Sequence, residues 1–169
     1  DRRLGAGHLW VFSNEVDTER TPLSGFAVGA PCRVIGDRER FLGYAYVNPH
    51  ALICARILGR DGRYPPGRPL FVHRLQVALA LRERLYAAPF YRLVHGESDG
   101  LPGLVLDRYG DVIVGQIGTA GMEGLKAEIV SALEKVIAPR TVLWKNDSGA
   151  RELEGLPSYV ETAHGEAID

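Results

Sequence analysis

From Gly25 to Leu58 short, largely apolar runs are separated by polar turns, the pattern of closely spaced strands. Ala30-Pro31-Cys32-Arg33-Val34-Ile35 closes at the turn Gly36-Asp37-Arg38, and Phe41-Leu42-Gly43-Tyr44-Ala45-Tyr46-Val47 stops at Asn48-Pro49. Leu52-Ile53-Cys54-Ala55-Arg56-Ile57-Leu58 is a third run. Short strands separated by Gly and Pro turns predict a small barrel. Three glycines and three prolines between Gly59 and Pro69 then mark a boundary. Beyond it the period lengthens. Phe71, Leu75, Ala78, Leu79, Leu85 and Tyr86 form a helical stripe, with Pro69 before it and Pro89 after it. Leu104–Arg108 and Val112–Ile117 flank Tyr109-Gly110-Asp111 as a hairpin, and Met122 to Ile137 reads as one amphipathic helix ending before Pro139. Thr141–Trp144 and Tyr159–Thr162 supply two more strands. The expected class is mostly β, of the α+β kind. A barrel occupies residues 1–70, a linker helix 71–89, and a strand-strand-helix-strand-strand domain 90–169.

Composition adds limits. At 169 residues, 46% apolar and 24% charged, the chain has room for one domain or two small ones. No apolar run approaches the roughly 18 residues that cross a membrane, and Asp1-Arg2-Arg3-Leu4 lacks the apolar core of a signal peptide. The single methionine is Met122, so the expectation is a piece of a longer polypeptide, and the use of cysteine adds the expectation of a cytoplasmic one. Cys32 and Cys54 sit in strand runs and read as small buried hydrophobes, with a disulfide or a reactive thiol as alternatives. There is no C-x-x-C and no Cys/His cluster, so no metal site is expected.

The net charge of −1 conceals an asymmetry. Residues 1–90 carry thirteen arginines against eight acids; residues 91–169 carry seven basic residues against thirteen acids, and hold all three lysines. The planar guanidinium fork suits phosphate and base edges better than an ammonium does. The first half is therefore a candidate for a polyanionic partner.

Gly96-Glu97-Ser98-Asp99-Gly100 matches G-x-S-x-G, the nucleophile elbow of serine hydrolases. An elbow needs a helix directly after the serine, and Gly100-Leu101-Pro102-Gly103 forbids one. Only His164 lies downstream as a base, and His95 is too near in sequence. A serine hydrolase using Ser98 is thus the remote alternative.

The longer segment from Arg92 to Asp111, R-L-V-H-G-E-S-D-G-L-P-G-L-V-L-D-R-Y-G-D, resembles the signature of a bacterial family of S-adenosylmethionine-dependent methyltransferases. Its members modify carbon 5 of a cytosine in large-subunit (23S) ribosomal RNA. Gly7-His8-Leu9-Trp10-Val11-Phe12 is similar to the family's G-H-P-W-V-F, with Leu9 in place of proline. Gly43–Pro49 with Ala55–Leu58 is similar to its G-x-x-Y-x-N-P…R-I-L. The resemblance implies an N-terminal PUA pseudo-barrel, a ββαββ middle domain, and a third, Rossmann-like domain carrying the cofactor pocket and the catalytic cysteine. No Rossmann domain is expected within these residues, so no catalytic or cofactor-binding residue is assigned here, Cys32 and Cys54 included.

The leading expectation is therefore an RNA-recruiting and positioning region, with ribosomal RNA and the chain's own C-terminal methyltransferase domain as partners. Self-association is left open. Arg2, Arg3, Arg33, Arg38, Arg40 and Arg56 are the candidate phosphate contacts, with His8, Trp10 and Tyr44 for stacking on bases. Each also has a plainer reading: Trp10-Val11-Phe12 as core, the turn arginines as solvated side chains, one of Tyr44 and Tyr46 as buried. Glu97 and Asp99 are expected to brace their loop rather than touch RNA. A stand-alone RNA-binding adaptor is the alternative from a different class.

Overall fold

The computed structural model describes residues 2–167, in two units divided between Pro66 and Gly67. The first is built on an antiparallel sheet. A helical turn, α1 (Arg2–Gly5), precedes β1 (Trp10–Phe12), followed by β2 (Ala30–Ile35), β3 (Phe41–Val47) and β4 (Ile53–Gly59). The spatial order is β1-β4-β3-β2. The core follows from strand register. Val11, Ala55, Val47 and Ala30 lie opposite one another across the four strands and face a core shared with Leu4, Leu42, Ala45, Cys54 and Ile57. Residues 13–29 cover that face without strands, through half-buried Val16, Leu23 and Phe26. Gly43 is required by packing, since a Cβ there would overlap Ile57 and the Gly59 carbonyl. Both cysteines are free thiols, Cys54 buried and Cys32 half-buried.

The second unit holds α2 (Arg68–Leu85), β5 (Phe90–His95), β6 (Leu104–Tyr109), β7 (Val112–Ile117), α3 (Ala120–Glu123), α4 (Lys126–Val136), β8 (Thr141–Asn146) and β9 (Tyr159–Gly165). Its five strands run in sequence order across one sheet, antiparallel except for the β7–β8 pair. α3 and α4 make that crossover. α2 packs on α4 and β5, burying Phe71, Leu75 and Ala78.

Three expectations are corrected here. The sheet has five strands rather than four, because β5 precedes the hairpin; its residues Arg92–His95 also open the motif, which hides the strand in the sequence. The helix expected from Met122 to Ile137 is two helices separated at Gly124-Leu125, where Leu125 leaves helical geometry (φ −107°, ψ 14°). The apolar stripe survives the break because Met122, Ile129 and Leu133 bury together, so periodicity alone does not reveal it. Pro69 lies inside the first turn of α2, where its missing N–H costs nothing, and the helix stops at Leu85.

Candidate nucleic-acid interface

The face of the first sheet opposite its core is set by register. Trp10, Arg56, Tyr46 and Pro31 form one row across the four strands, and Arg33 lies opposite Tyr44 two residues further along on the same face. Strand pairing thus gathers four of the expected residues, Trp10, Arg33, Tyr44 and Arg56, on one surface. Their availability differs. Trp10 is 40% exposed and Arg33 is exposed, while Arg56 and Tyr44 are half-buried and Tyr46 is buried. Tyr44 packs edge-on against Phe41, and its hydroxyl donates to the Gly62 carbonyl (2.9 Å). The Arg33 guanidinium lies 5.4 Å from the centre of the Phe41 ring.

The remaining candidates are elsewhere. Arg38 stands at the β2–β3 hairpin tip with its side chain 93% exposed, beside Asp37 and Glu39, in left-handed backbone geometry (φ 55°). Arg40 is exposed, with Nη2 beside Gly5 in the α1 turn. Arg2 and His8 are exposed. Arg3 is engaged: it donates to the Glu15 carboxylate and to the Trp10 carbonyl (2.8 Å), and lies 5.0 Å from the centre of the Phe12 ring. The Phe12 N–H donated to Glu15 (2.8 Å), together with Arg3, holds the Glu15 carboxyl below its ordinary value against the opposing effect of burial. Arg60, which sequence reasoning passed over, donates to the Leu42 carbonyl (3.1 Å) and the His8 carbonyl (2.7 Å). No local pattern marks it, because His8 is 52 residues away.

Charge divides less sharply by unit than by half-chain. Residues 1–66 hold nine arginines and seven acids; residues 67–169 hold eleven basic and fourteen acidic residues. In the second unit six of the eleven cations pair with its own carboxylates: Arg82 with Asp99, Arg92 with Asp107, Arg140 with Asp111, Arg151 with Glu123, Lys126 with Glu161 and Lys145 with Asp147. In the first, Arg2, Arg33 and Arg40 have no carboxylate partner among the described residues.

The G-x-S-x-G loop is not an elbow. Gly96–Asp99 makes a single 3-10 turn, Gly100 turns left-handed (φ 71°), and the chain proceeds into β6. Ser98 is exposed, and His164 is paired with Glu134 at 2.7 Å. Asp99 accepts both guanidinium arms of Arg82 (2.8 and 2.7 Å) and the His95 N–H (2.7 Å), so it does brace the loop.

For S-adenosylmethionine the described residues offer a poor fit. β7 is the parallel strand that feeds a helix, and there the Ala120 N–H at the start of α3 is already directed at the Glu154 carboxylate (3.3 Å). A cavity of about 530 Å³ on the inner side of the first sheet is lined by Val11, Val16, Leu23 and Phe26, with Glu15 and Asp17 beside them, and has no glycine-rich turn. Among the described residues no helix is long and apolar enough to cross a membrane, and no three His, Cys, Asp or Glu side chains group as metal ligands.

Comparison with known proteins places these observations. Residues 1–60 match the family profile of a PUA-like domain. The chain is 34% identical to the ribosomal RNA large subunit methyltransferase I of Vibrio cholerae, over 98% of its own length and 42% of that protein's. It is 36% identical to the protein of the same name from Vibrio vulnificus, over 94% of this chain and 40% of the relative. A Streptococcus mutans structure described as a SAM-dependent methyltransferase superposes with a TM-score of 0.77 at 16% identity, covering 99% of this chain and 42% of that one. At that identity the likeness is one of fold. The chain spans about two fifths of the length of the curated relatives it matches, and its first 60 residues are similar to a PUA-like domain.

Proposed function

We propose that residues 1–169 recruit and position RNA for an S-adenosylmethionine-dependent methyltransferase acting on large-subunit ribosomal RNA at carbon 5 of a cytosine. In this reading the intact protein is a cytoplasmic enzyme whose cofactor pocket and catalytic cysteine lie in a further domain. Methylating carbon 5 requires the base to leave its stack and be held against a thiolate and a methyl donor. A separate module gripping nearby phosphates lowers the entropic cost of that placement.

The observation that carries the reading is the one sheet face of the first unit that gathers Trp10, Arg33, Tyr44 and Arg56. Arg2, Arg33 and Arg40 are exposed with no carboxylate partner among the described residues, in the unit that also presents Trp10, Arg56 and Tyr44 on one sheet face. In the second unit Arg92 and Arg140 are tied to its own acids and serve as the comparison. These positions are the proposed RNA contacts. Arg38, beside two carboxylates, is the weakest of them, and Arg3 acts through another residue, as argued below.

The test is a salt series on the 169-residue chain with a ribosomal RNA stem-loop. Each phosphate contact contributes about 0.7 to 0.9 to the slope of log K against log salt. Arg33→Gln with Arg40→Gln should lower the slope by about 1.5, whereas Arg92→Gln with Arg140→Gln should leave it unchanged. A slope of zero in the parent chain, or equal losses in both pairs, refutes the reading.

A further inference from the structure

Trp10 is an exposed indole on an edge strand only three residues long, a combination that normally gives a loose side chain. The backbone beneath it is instead fixed at every residue from His8 to Ser13. The His8 carbonyl accepts from Arg60 (2.7 Å), and the Leu9 carbonyl from the Ile57 N–H (2.8 Å). The Trp10 carbonyl accepts from Arg3 (2.8 Å), and the Val11 carbonyl from the Cys54 thiol (3.5 Å). The Phe12 N–H donates to Glu15 (2.8 Å), and the Ser13 N–H to the Leu52 carbonyl (2.9 Å). Three of these six partners are charged side chains reaching in from outside the sheet. The ring itself is braced edge-on by Phe12, with centroids 6.4 Å apart at 88°, and Phe12 in turn lies under Arg3.

We propose that Trp10 is a preorganised stacking platform for one unpaired nucleobase, and that Arg3, Glu15 and Arg60 are positioning residues that hold its strand rather than phosphate contacts. This rests on the RNA-binding reading above and names the form of RNA: a single-stranded segment, not a duplex. A rigid aromatic of few torsions loses little entropy on binding, and fixing its backbone removes most of the rest. A flat π-face takes a base only where that base is unstacked, which a duplex does not supply. Tyr44 does not share the role, since its hydroxyl is held by Gly62 and its ring by Phe41. Arg56, across the strand from Trp10, flanks the platform on its sheet side.

The experiment compares a 12-nucleotide unpaired RNA of mixed A and C with the blunt duplex formed by adding its complement, both binding the 169-residue chain at low salt. The chain has two tryptophans, and Trp144 is fully buried, so quenching of the exposed fluorophore reports on Trp10. The unpaired RNA is expected to quench and the duplex not to. Trp10→Leu should weaken the unpaired RNA by about 5- to 100-fold and change the duplex by less than twofold. Arg3→Gln should weaken the unpaired RNA comparably, add little in the double variant, and leave the salt slope unchanged. Glu15→Gln is the second route to the same loss if Arg3→Gln destabilises the unit. Equal quenching by duplex, or undiminished affinity in Trp10→Leu, overturns the platform while leaving RNA binding intact. A salt slope lowered by about 0.7 in Arg3→Gln makes Arg3 a phosphate contact and overturns its positioning role. Binding of neither RNA refutes both this proposal and the reading beneath it.

Discussion

Replacing Asp99 by asparagine isolates one polar contact that holds the second unit together. The Arg82 and Asp99 side chains are only 12% and 9% exposed, and both guanidinium arms are used. Arg82 also donates to the Arg92 carbonyl, and Asp99 receives the His95 N–H, so the pair ties α2 to β5 and to the loop after it. Removing one member of a buried pair costs about 3–5 kcal/mol, chiefly because the surviving charge is stranded. Asparagine keeps the shape and one acceptor, which places the loss near 3 kcal/mol, at the low end of that range. For a unit of about 100 residues, with a urea m-value near 2 kcal/mol/M, the midpoint should fall by roughly 1.5 M. Fluorescence of the fully buried Trp144 follows that transition. The internal control is Asp107→Asn, whose partner Arg92 is 46% exposed; it should cost about 1 kcal/mol or less. Adding Arg82→Met to Asp99→Asn should recover part of the loss by removing the stranded charge. RNA affinity should change less than twofold. A midpoint shift in Asp99→Asn no larger than that in Asp107→Asn would refute the reasoning, as would an affinity loss with unchanged stability.

Two further outcomes follow from packing. Burial pushes the Cys32 thiol up to about 11 and raises that of Cys54 as well. Native protein at pH 8 should therefore resist iodoacetamide until denaturant is added, and stability should begin to fall above about pH 9, where unfolded thiols ionise and folded ones do not; rapid stoichiometric labelling of the native chain would contradict this. Gly115→Ala places a methyl into the Trp144 ring and should cost about 1–3 kcal/mol. Gly149→Ala, which meets nothing within 4 Å, should stay within about 0.5 kcal/mol of the parent in the same urea titration.

How far the sequence foretells this structure depends on the range of the interaction. β2, β3 and the β6–β7 hairpin declare themselves, because each is a short apolar run closed by a turn. The face that gathers Trp10, Arg33, Tyr44 and Arg56 needs only register beyond that. Trp10-Val11-Phe12 shows the limit: three apolar residues read first as core, yet strand alternation buries Val11 and turns Trp10 outward. What stayed hidden are the clamps. Arg3 meets Glu15 across 12 residues, Arg82 meets Asp99 across 17, and Arg60 meets His8 across 52. Nothing in a local pattern distinguishes an arginine that will be consumed in this way from one left facing water.

That distinction alters the meaning of the arginine excess. Counted over residues 1–90, the surplus is five positive charges, but four of those arginines, Arg68, Arg74, Arg82 and Arg84, belong to α2 and the second unit. Arg82 is spent on Asp99, and Arg74 packs so closely on Gly100 that a Cβ there would overlap its guanidinium. The surplus of the first unit itself is two, a charge too small to bind a polyanion by its field alone at physiological salt. Attraction must then be local, through the few guanidiniums with no carboxylate beside them, and a weak electrostatic grip leaves affinity to be supplied by contact. A held aromatic ring on the sheet face that also carries Arg33 is the kind of contact that a short, flexible strand of RNA can use and a stiff duplex cannot.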